Sequence, residues 1–511
     1  MRSFLVLILI GTLGFLIGCG SSGTPVGVVT SITLTPSSAS LDAGQSVNIT
    51  ASVANDSSGK GVSWSLTGAG TLSNQTSTGV TYTAPNPVSS IALPTVVATS
   101  NASSTVTAST PVVIAPAGTV ANVAPISVNG GPLTTANPPA IYTDAAFISV
   151  LVCSPTNGAC QTIPDILVDT GSFGLRLLAS QVTVPLTPLT YTNGNTLYDC
   201  VQFVDNSFLW GAVAPANFVV GAELAASTSV QLIANPSFSI PSGCSGTNED
   251  TQTLLGANGI LGVGPEPFDC GTACDPGAGG TPPTVYYLCS SGGSCSTTFV
   301  SCGALCNDSN PNQQVTNPVF NFPTDNNGVI LTLPQVNDVA ATVSGTLTFG
   351  IGTEANNTLP TTATLFTLAA GDNFTTNYGG QALTGSFIDS GSNGLFFPQL
   401  GGSPAGCQDN ADWYCPATTT QLTATNVDPN NGTTSNTVTF DVDNFDTVTN
   451  ANPTDAAFSN IAGPMGVGPC SSSNTGACAF DWGLPFFYGR SVFTAIDGTT
   501  TTYGNGPFWA Y

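Results

Sequence analysis

Two segments of the chain carry the same residue types in the same order. The first, Ile166-Leu167-Val168-Asp169-Thr170-Gly171-Ser172, runs on into Phe173-Gly174-Leu175-Arg176. The second, Phe387-Ile388-Asp389-Ser390-Gly391-Ser392, comes about 220 residues later and runs on into Asn393-Gly394-Leu395-Phe396-Phe397. In each, an apolar strand delivers an aspartate, then a hydroxyl residue, a glycine and a serine, and a second apolar strand leads away. A single Asp-Thr-Gly is common in ordinary turns, whereas two with matched flanks imply two equivalent loops. Carboxylates held side by side cannot both ionise, so Asp169 and Asp389 would share a proton, one activating water while the other protonates a carbonyl oxygen. Gly171 and Gly391 lack the Cβ that would keep such loops apart and offer backbone N–H groups to the carboxylates. Thr170 and Ser390 are suited to hold the loops together, and Ser172 and Ser392 to orient the outer carboxylate oxygens.

Other chemistries are poorly served. With no histidine in the chain, no Ser-His or Cys-His nucleophile can form. The Cys-x3-Cys pairs Cys270/Cys274 and Cys302/Cys306 lack the Cys-x2-Cys spacing and histidine partners of zinc sites. Asp441-Val442-Asp443-Asn444-Phe445-Asp446 lacks the glycine and terminal glutamate of an EF-hand loop and reads as a solvated acidic turn. Neither metal nor cofactor is expected.

The paired motifs resemble those of the pepsin-like aspartic peptidases, and further segments agree in order. Asn258-Gly259-Ile260-Leu261-Gly262-Val263-Gly264 is similar to the segment that crosses behind the first catalytic loop in that family. Gly345-Thr346-Leu347-Thr348-Phe349-Gly350 resembles the strand that opens the second lobe, and Gly483 to Asp497 the closing segment, with two extra residues before Arg490. The resemblance implies a bilobal double-ψ β-barrel domain, with an N-lobe over 121–335 and a C-lobe over 336–511. It also implies a catalytic dyad of Asp169 and Asp389, acting at acid pH on a peptide or protein in the interlobe cleft. The counterpart of the family's substrate-covering flap is Phe203-Val204-Asp205-Asn206-Ser207, which makes Phe203, Asp205 and Ser207 the flap candidates. That hairpin carries no tyrosine, and Arg176 stands where the family usually has a tryptophan supporting it. The same region is similar to a family of bacterial secreted proteins known only as a domain of unknown function. Three readings follow: an aspartic endopeptidase, an inactive pepsin-like fold that binds a protein or polysaccharide, or a structural or adhesion lipoprotein whose motifs match by coincidence.

The elements that must position these residues are strands. Lys and Glu are scarce, while Thr, Ser, Val and Asn abound, a balance that disfavours long helices and predicts an all-β protein. Before the paired motifs lies a cysteine-free block, 28–115, of short alternating segments such as Ser46-Val47-Asn48-Ile49-Thr50 and Val62-Ser63-Trp64-Ser65-Leu66. It resembles bacterial immunoglobulin-like β-sandwich domains, with Trp64 expected in the core. Ala115-Pro116-Ala117-Gly118 marks the boundary to the larger region.

Charge and cysteines bear on surroundings. The chain has 28 acidic residues against four basic ones, a formal net charge of −24, which makes nucleic acid an implausible partner. With few cations to leave uncompensated, self-repulsion shrinks toward about pH 4, so a protein suited to acid is expected. Residues 1–19 pair Arg2 with an apolar run and end in Leu16-Ile17-Gly18-Cys19, which resembles the lipobox of a bacterial lipoprotein signal peptide. Cys19 would carry the lipid, the membrane contact would be that lipid alone, residues 20–27 would form a flexible linker, and the protein would be an extracytoplasmic monomer. Fourteen cysteines remain, an even number suited to an oxidising compartment. Neighbour pairing gives Cys153–Cys160, Cys270–Cys274, Cys289–Cys295, Cys302–Cys306, Cys407–Cys415 and Cys470–Cys478, leaving Cys200 with Cys244.

Overall fold

A computed structural model describes residues 29, 31–190, 194–234, 238–270, 284–290, 293–295, 314–369 and 371–511. Cys19, the segment before it and the 20–27 linker lie outside the described residues, as do Cys274, Cys302 and Cys306. The protein is all-β: two short α-helices, Gln252–Leu255 and Phe445–Ala451, stand among more than thirty strands in the described residues.

The N-terminal block folds as two four-stranded sheets packed face to face. Period-two alternation decides the packing: in Thr95–Ser100 it buries Val96 and Ala98, which meet Ile32, Ile49, Val80 and Ile114 from the other strands. The expectation for Trp64 needs correction, since its ring is only half-buried at the margin, with Nε1 donating to Thr76 O. Tyr82 takes the centre, fully buried, with its hydroxyl donating to Ala69 O at 2.8 Å. Trp64 shares its strand with exposed serines at 63 and 65 and lies at one edge of its sheet. The sandwich is docked on the larger region. Leu93, Val113 and Ala115 pack with Cys153, Val219, Ala222 and Leu224, and Ser40 Oγ donates to Ala222 O at 3.0 Å.

In the larger region one strand arrangement occurs twice. Cys160–Asp169 runs parallel to Gly259–Val263, pairing Val168 with Leu261, and Phe173–Leu178 returns antiparallel along the same strand, pairing Leu175 with Leu261. Gln381–Ile388 likewise runs parallel to Asp481–Trp482, pairing Ile388 with Trp482, and Leu395–Gln399 returns antiparallel, pairing Leu395 with Trp482. A third strand thus threads between the two arms of each aspartate-bearing loop. This register makes Leu261 equivalent to Trp482 and Ile260 equivalent to Asp481. The first arrangement belongs to a fifteen-stranded sheet and the second to a seven-stranded one, and a single apolar core runs through both. Buried Asp144 adds a polar tie between the halves: its Oδ1 accepts from Phe458 N at 2.8 Å and from the Tyr488 hydroxyl at 2.6 Å.

Candidate active site

Asp169 closes the strand Cys160–Asp169 and Asp389 directly follows the strand Gln381–Ile388, so both carboxyls stand where the two loops meet. The loops are joined by reciprocal hydrogen bonds. Thr170 N donates to Ser390 Oγ (3.1 Å) and Ser390 N to Thr170 Oγ1 (2.9 Å), while Thr170 Oγ1 donates to Ile388 O (3.1 Å) and Ser390 Oγ to Val168 O (2.7 Å). Both hydroxyl residues are fully buried. Every bond has its counterpart on exchanging the loops, which is approximate two-fold symmetry at the level of single atoms.

That junction presses each carboxyl against the opposite glycine. A Cβ on Gly171 would lie 2.5 Å from Asp389 Cγ, and one on Gly391 2.7 Å from Asp169 Cγ, so neither position admits a larger residue without separating the loops. Asp169 Oδ1 accepts from Gly171 N (2.8 Å) and Ser172 N (3.1 Å), and its Oδ2 accepts from Ser172 Oγ. Asp389 Oδ1 accepts from Gly391 N (2.7 Å), and its Oδ2 lies 2.9 Å from Ser392 Oγ. Burial, with the neighbouring charges of Asp169 and Asp481, holds the Asp389 carboxyl well above the usual carboxylate range. Asp169 accepts from three donors and Asp389 meets two, and Asp389 is the carboxyl raised toward its protonated form.

The family described as "Protein of unknown function (DUF3443)" matches residues 118–511. The chain belongs to the DUF3443 family. No curated protein matches it. Among solved structures, an aspartic proteinase from Irpex lacteus aligns with a TM-score of 0.40 and 15% identity, over 76% of this chain and 96% of that one.

In this DUF3443 protein the flap candidate is a hairpin turn between Thr196–Gln202 and Ser207–Val220. Phe203 N donates to Ser207 O, Asp205 Oδ1 accepts from Ser207 N, Asn206 takes a left-handed φ of 67°, and Val204 at the tip is 78% exposed. Phe203 packs in one cluster with Tyr142, Phe147 and Leu209. Tyr142, which sequence reasoning missed, packs on the same cluster, and its phenol is pushed up by burial and by the charges of Glu249, Asp169, Asp389 and Asp205. A lone tyrosine ahead of a strand gave no signal of this. Asp481 was missed as well, although Ile260-Leu261-Gly262 against Asp481-Trp482-Gly483 displays a carboxylate where the repeat calls for an apolar residue.

Arg176 is wholly buried and belongs to the scaffold beside the flap hairpin. Its Nη1 donates to Asp199 Oδ2 (2.6 Å) and Gln231 Oε1 (2.9 Å), and its Nη2 to Asp269 Oδ2 (3.0 Å). One guanidinium cannot neutralise two buried carboxylates, and burial with the Asp269 charge pushes Asp199 up to about 8.

Disulfides join Cys153–Cys160, Cys200–Cys244, Cys289–Cys295, Cys407–Cys415 and Cys470–Cys478, and Cys270 is disulfide-bonded as well. Such bonds fit an oxidising compartment outside the cytoplasm. No helix among the described residues is long and apolar enough to cross a membrane. Cys407 and Cys415 approach Asp446 closely enough for metal ligation, but their sulfurs are bonded to each other. The acidic turn 441–446 serves the chain itself: Asn444 caps the helix Phe445–Ala451, and Asp443 accepts hydrogen bonds from Thr419 and Asn460.

Proposed function

We propose that this DUF3443 protein is an aspartic endopeptidase, hydrolysing peptide bonds with water activated between Asp169 and Asp389 at acid pH. The observation that carries the reading is the reciprocal Thr170–Ser390 junction, which sets the buried Asp169 and half-buried Asp389 carboxyls against each other's glycines. Asp169, richly supplied with hydrogen-bond donors, is the base that takes a proton from water as it attacks the carbonyl carbon. Asp389, the protonated partner, gives its proton to the carbonyl oxygen. The substrate is a polypeptide entering between the Phe203–Ser207 hairpin and the dyad. Cys19 carries the lipid that tethers the protein to the cell envelope, and the sandwich stands between that tether and the catalytic region.

Digestion of an unfolded protein at acid pH tests the reading. Wild type should cut and be blocked by a transition-state inhibitor of aspartic peptidases, while Asp169→Asn and Asp389→Asn should each lose at least about 10³-fold in kcat/KM. Equal activity in wild type and Asp169→Asn would sink the mechanism. Inhibitor or substrate binding without turnover would identify a binding protein built on the same fold.

A further inference from the structure

Ser392 presents a problem of proton counting. Its Oγ lies 2.9 Å from Asp389 Oδ2 and 2.6 Å from Asp481 Oδ2. A hydroxyl has one proton and can donate to only one carboxylate, so the other contact requires a carboxyl that donates to Ser392. Asp481 is fitted for this. It is 2% exposed, and its other oxygen, Oδ1, is buried with no hydrogen-bond partner among the described residues. An ionised carboxylate there would leave a charged oxygen both desolvated and unsatisfied. The strands flanking it, Gln381–Ile388 and Leu395–Gln399, carry no titratable side chain. The titratable groups facing it are Asp389 and Asp169, and both ion pairs among the described residues belong to Arg176, far along the other arrangement. The equivalent position in the first arrangement is the buried, apolar Ile260, so the carboxyl is not demanded by the strand pattern.

We propose that Asp481 is the third member of the carboxyl centre, a neutral acid that donates to Ser392 Oγ and thereby turns the Ser392 hydroxyl toward the outer oxygen of Asp389. The proposal rests on the reading of Asp169 and Asp389 as a catalytic dyad. Three carboxyls then hold two protons: one within the dyad, one on the line from Asp481 through Ser392 to Asp389. Once Asp389 has given up the dyad proton and is ionised, a concerted shift restores it: Asp481 Oδ2 passes its proton to Ser392 Oγ while Ser392 Oγ passes its own to Asp389 Oδ2. No charge is gained or lost, and Asp389 is left protonated with Asp481 as the anion. Asp481 is a positioning residue and a proton reserve, allowing Asp389 to remain an acid after the centre has lost one of its two protons. Burial pushes the Asp481 carboxyl well above the usual range, in the same direction.

Asp481→Asn keeps the shape and a donor toward Ser392 but removes the reserve. In the pH profile of kcat/KM on an unfolded protein, its alkaline limb should move to lower pH by about one unit or more, the scale of a close carboxyl–carboxyl interaction. In a Ser392→Ala background the same substitution should move the limb no further. An unmoved limb in Asp481→Asn, or an undiminished shift without Ser392, overturns the proposal. A measurement independent of turnover is carboxyl ¹³C NMR titration of aspartate-labelled protein, with Asp481 assigned by its loss in Asp481→Asn. The Asp481 signal should stay protonated far above the pH of about 4 at which ordinary aspartates titrate, and titration there would overturn the proposal. If wild type proves inert, the peptidase reading fails while this titration still decides the place of Asp481.

Discussion

The candidate site is held by hydroxyls that are wholly inside the protein. Thr170 donates one hydrogen bond and accepts another across the loop junction, and Ser390 does the same in return. Replacing Thr170 with valine keeps the volume but strips Ser390 N and Ile388 O of their partner. Leaving buried backbone groups unsatisfied costs about 1–3 kcal/mol each, so Thr170→Val should lower the urea midpoint by the equivalent of about 2–6 kcal/mol and reduce activity with it. An unchanged midpoint would mean that the two halves are held together elsewhere. The roles of Thr170, Gly171, Ser390 and Gly391 could be reasoned from residue type, because a symmetric pair of short loops leaves few ways to meet. Asp481 could not, since its meaning depends on a contact with Ser392 across 89 positions of chain.

At the scale of elements, the flap hairpin lies inside the loop closed by Cys200–Cys244, which spans 44 positions. Closing a loop of that length restricts the unfolded chain by about 4 kcal/mol on the chain-entropy estimate. The double variant Cys200→Ser, Cys244→Ser should lose stability of that order and expose the peptide near Phe203 to added protease before the rest of the protein opens. Simultaneous cleavage throughout would show that the hairpin has no stability of its own to lose. Neighbour spacing made the local disulfides legible in the sequence, because residues a few positions apart in a strand-turn-strand chain meet without help from the fold, and it left Cys200 with Cys244 by elimination. The internal repeat was harder to see. Its threading strands share only a glycine and an apolar neighbour, Leu261-Gly262 and Trp482-Gly483, and the strand pairing that equates them exists only in the folded sheet.

Across the molecule, buried acids carry the pH dependence. Burial pushes Glu223 up to about 7, with help from the charges of Asp325 and Glu354, and Glu249 to about 7, with help from Asp205. It raises Glu266 to about 8 beside Asp372 and Asp497, and Asp199 to about 8 beside Asp269. Unfolded carboxyls titrate near pH 4, so between there and about pH 8 the folded chain holds protons that the unfolded chain has released. Stability is therefore full below about pH 4 to 5 and declines as pH rises through that window. The cations add little to oppose this: Arg176 is internal, Arg490 lies over the Phe486 ring, and Lys60 is the exposed cation of the described residues. Calorimetry should find Tm lower at about pH 8 than at about pH 5 by roughly 5 °C or more. A Tm that rises over that interval would mean these acids are ionised in the folded state.

By itself the sequence determined the strand-rich architecture, the pairing of neighbouring cysteines and the identity of two equivalent aspartate loops, because period-two alternation, short spacing and repeated motifs are local properties of a chain. Tertiary structure alone decided that Tyr82 and not Trp64 fills the sandwich core, that Arg176 is consumed by two interior carboxylates, and that a third carboxyl stands behind Asp389. Those outcomes turn on which buried side chains come within a few ångströms of one another from distant parts of the chain. Burial in turn converts an ordinary acidic residue into one that keeps its proton.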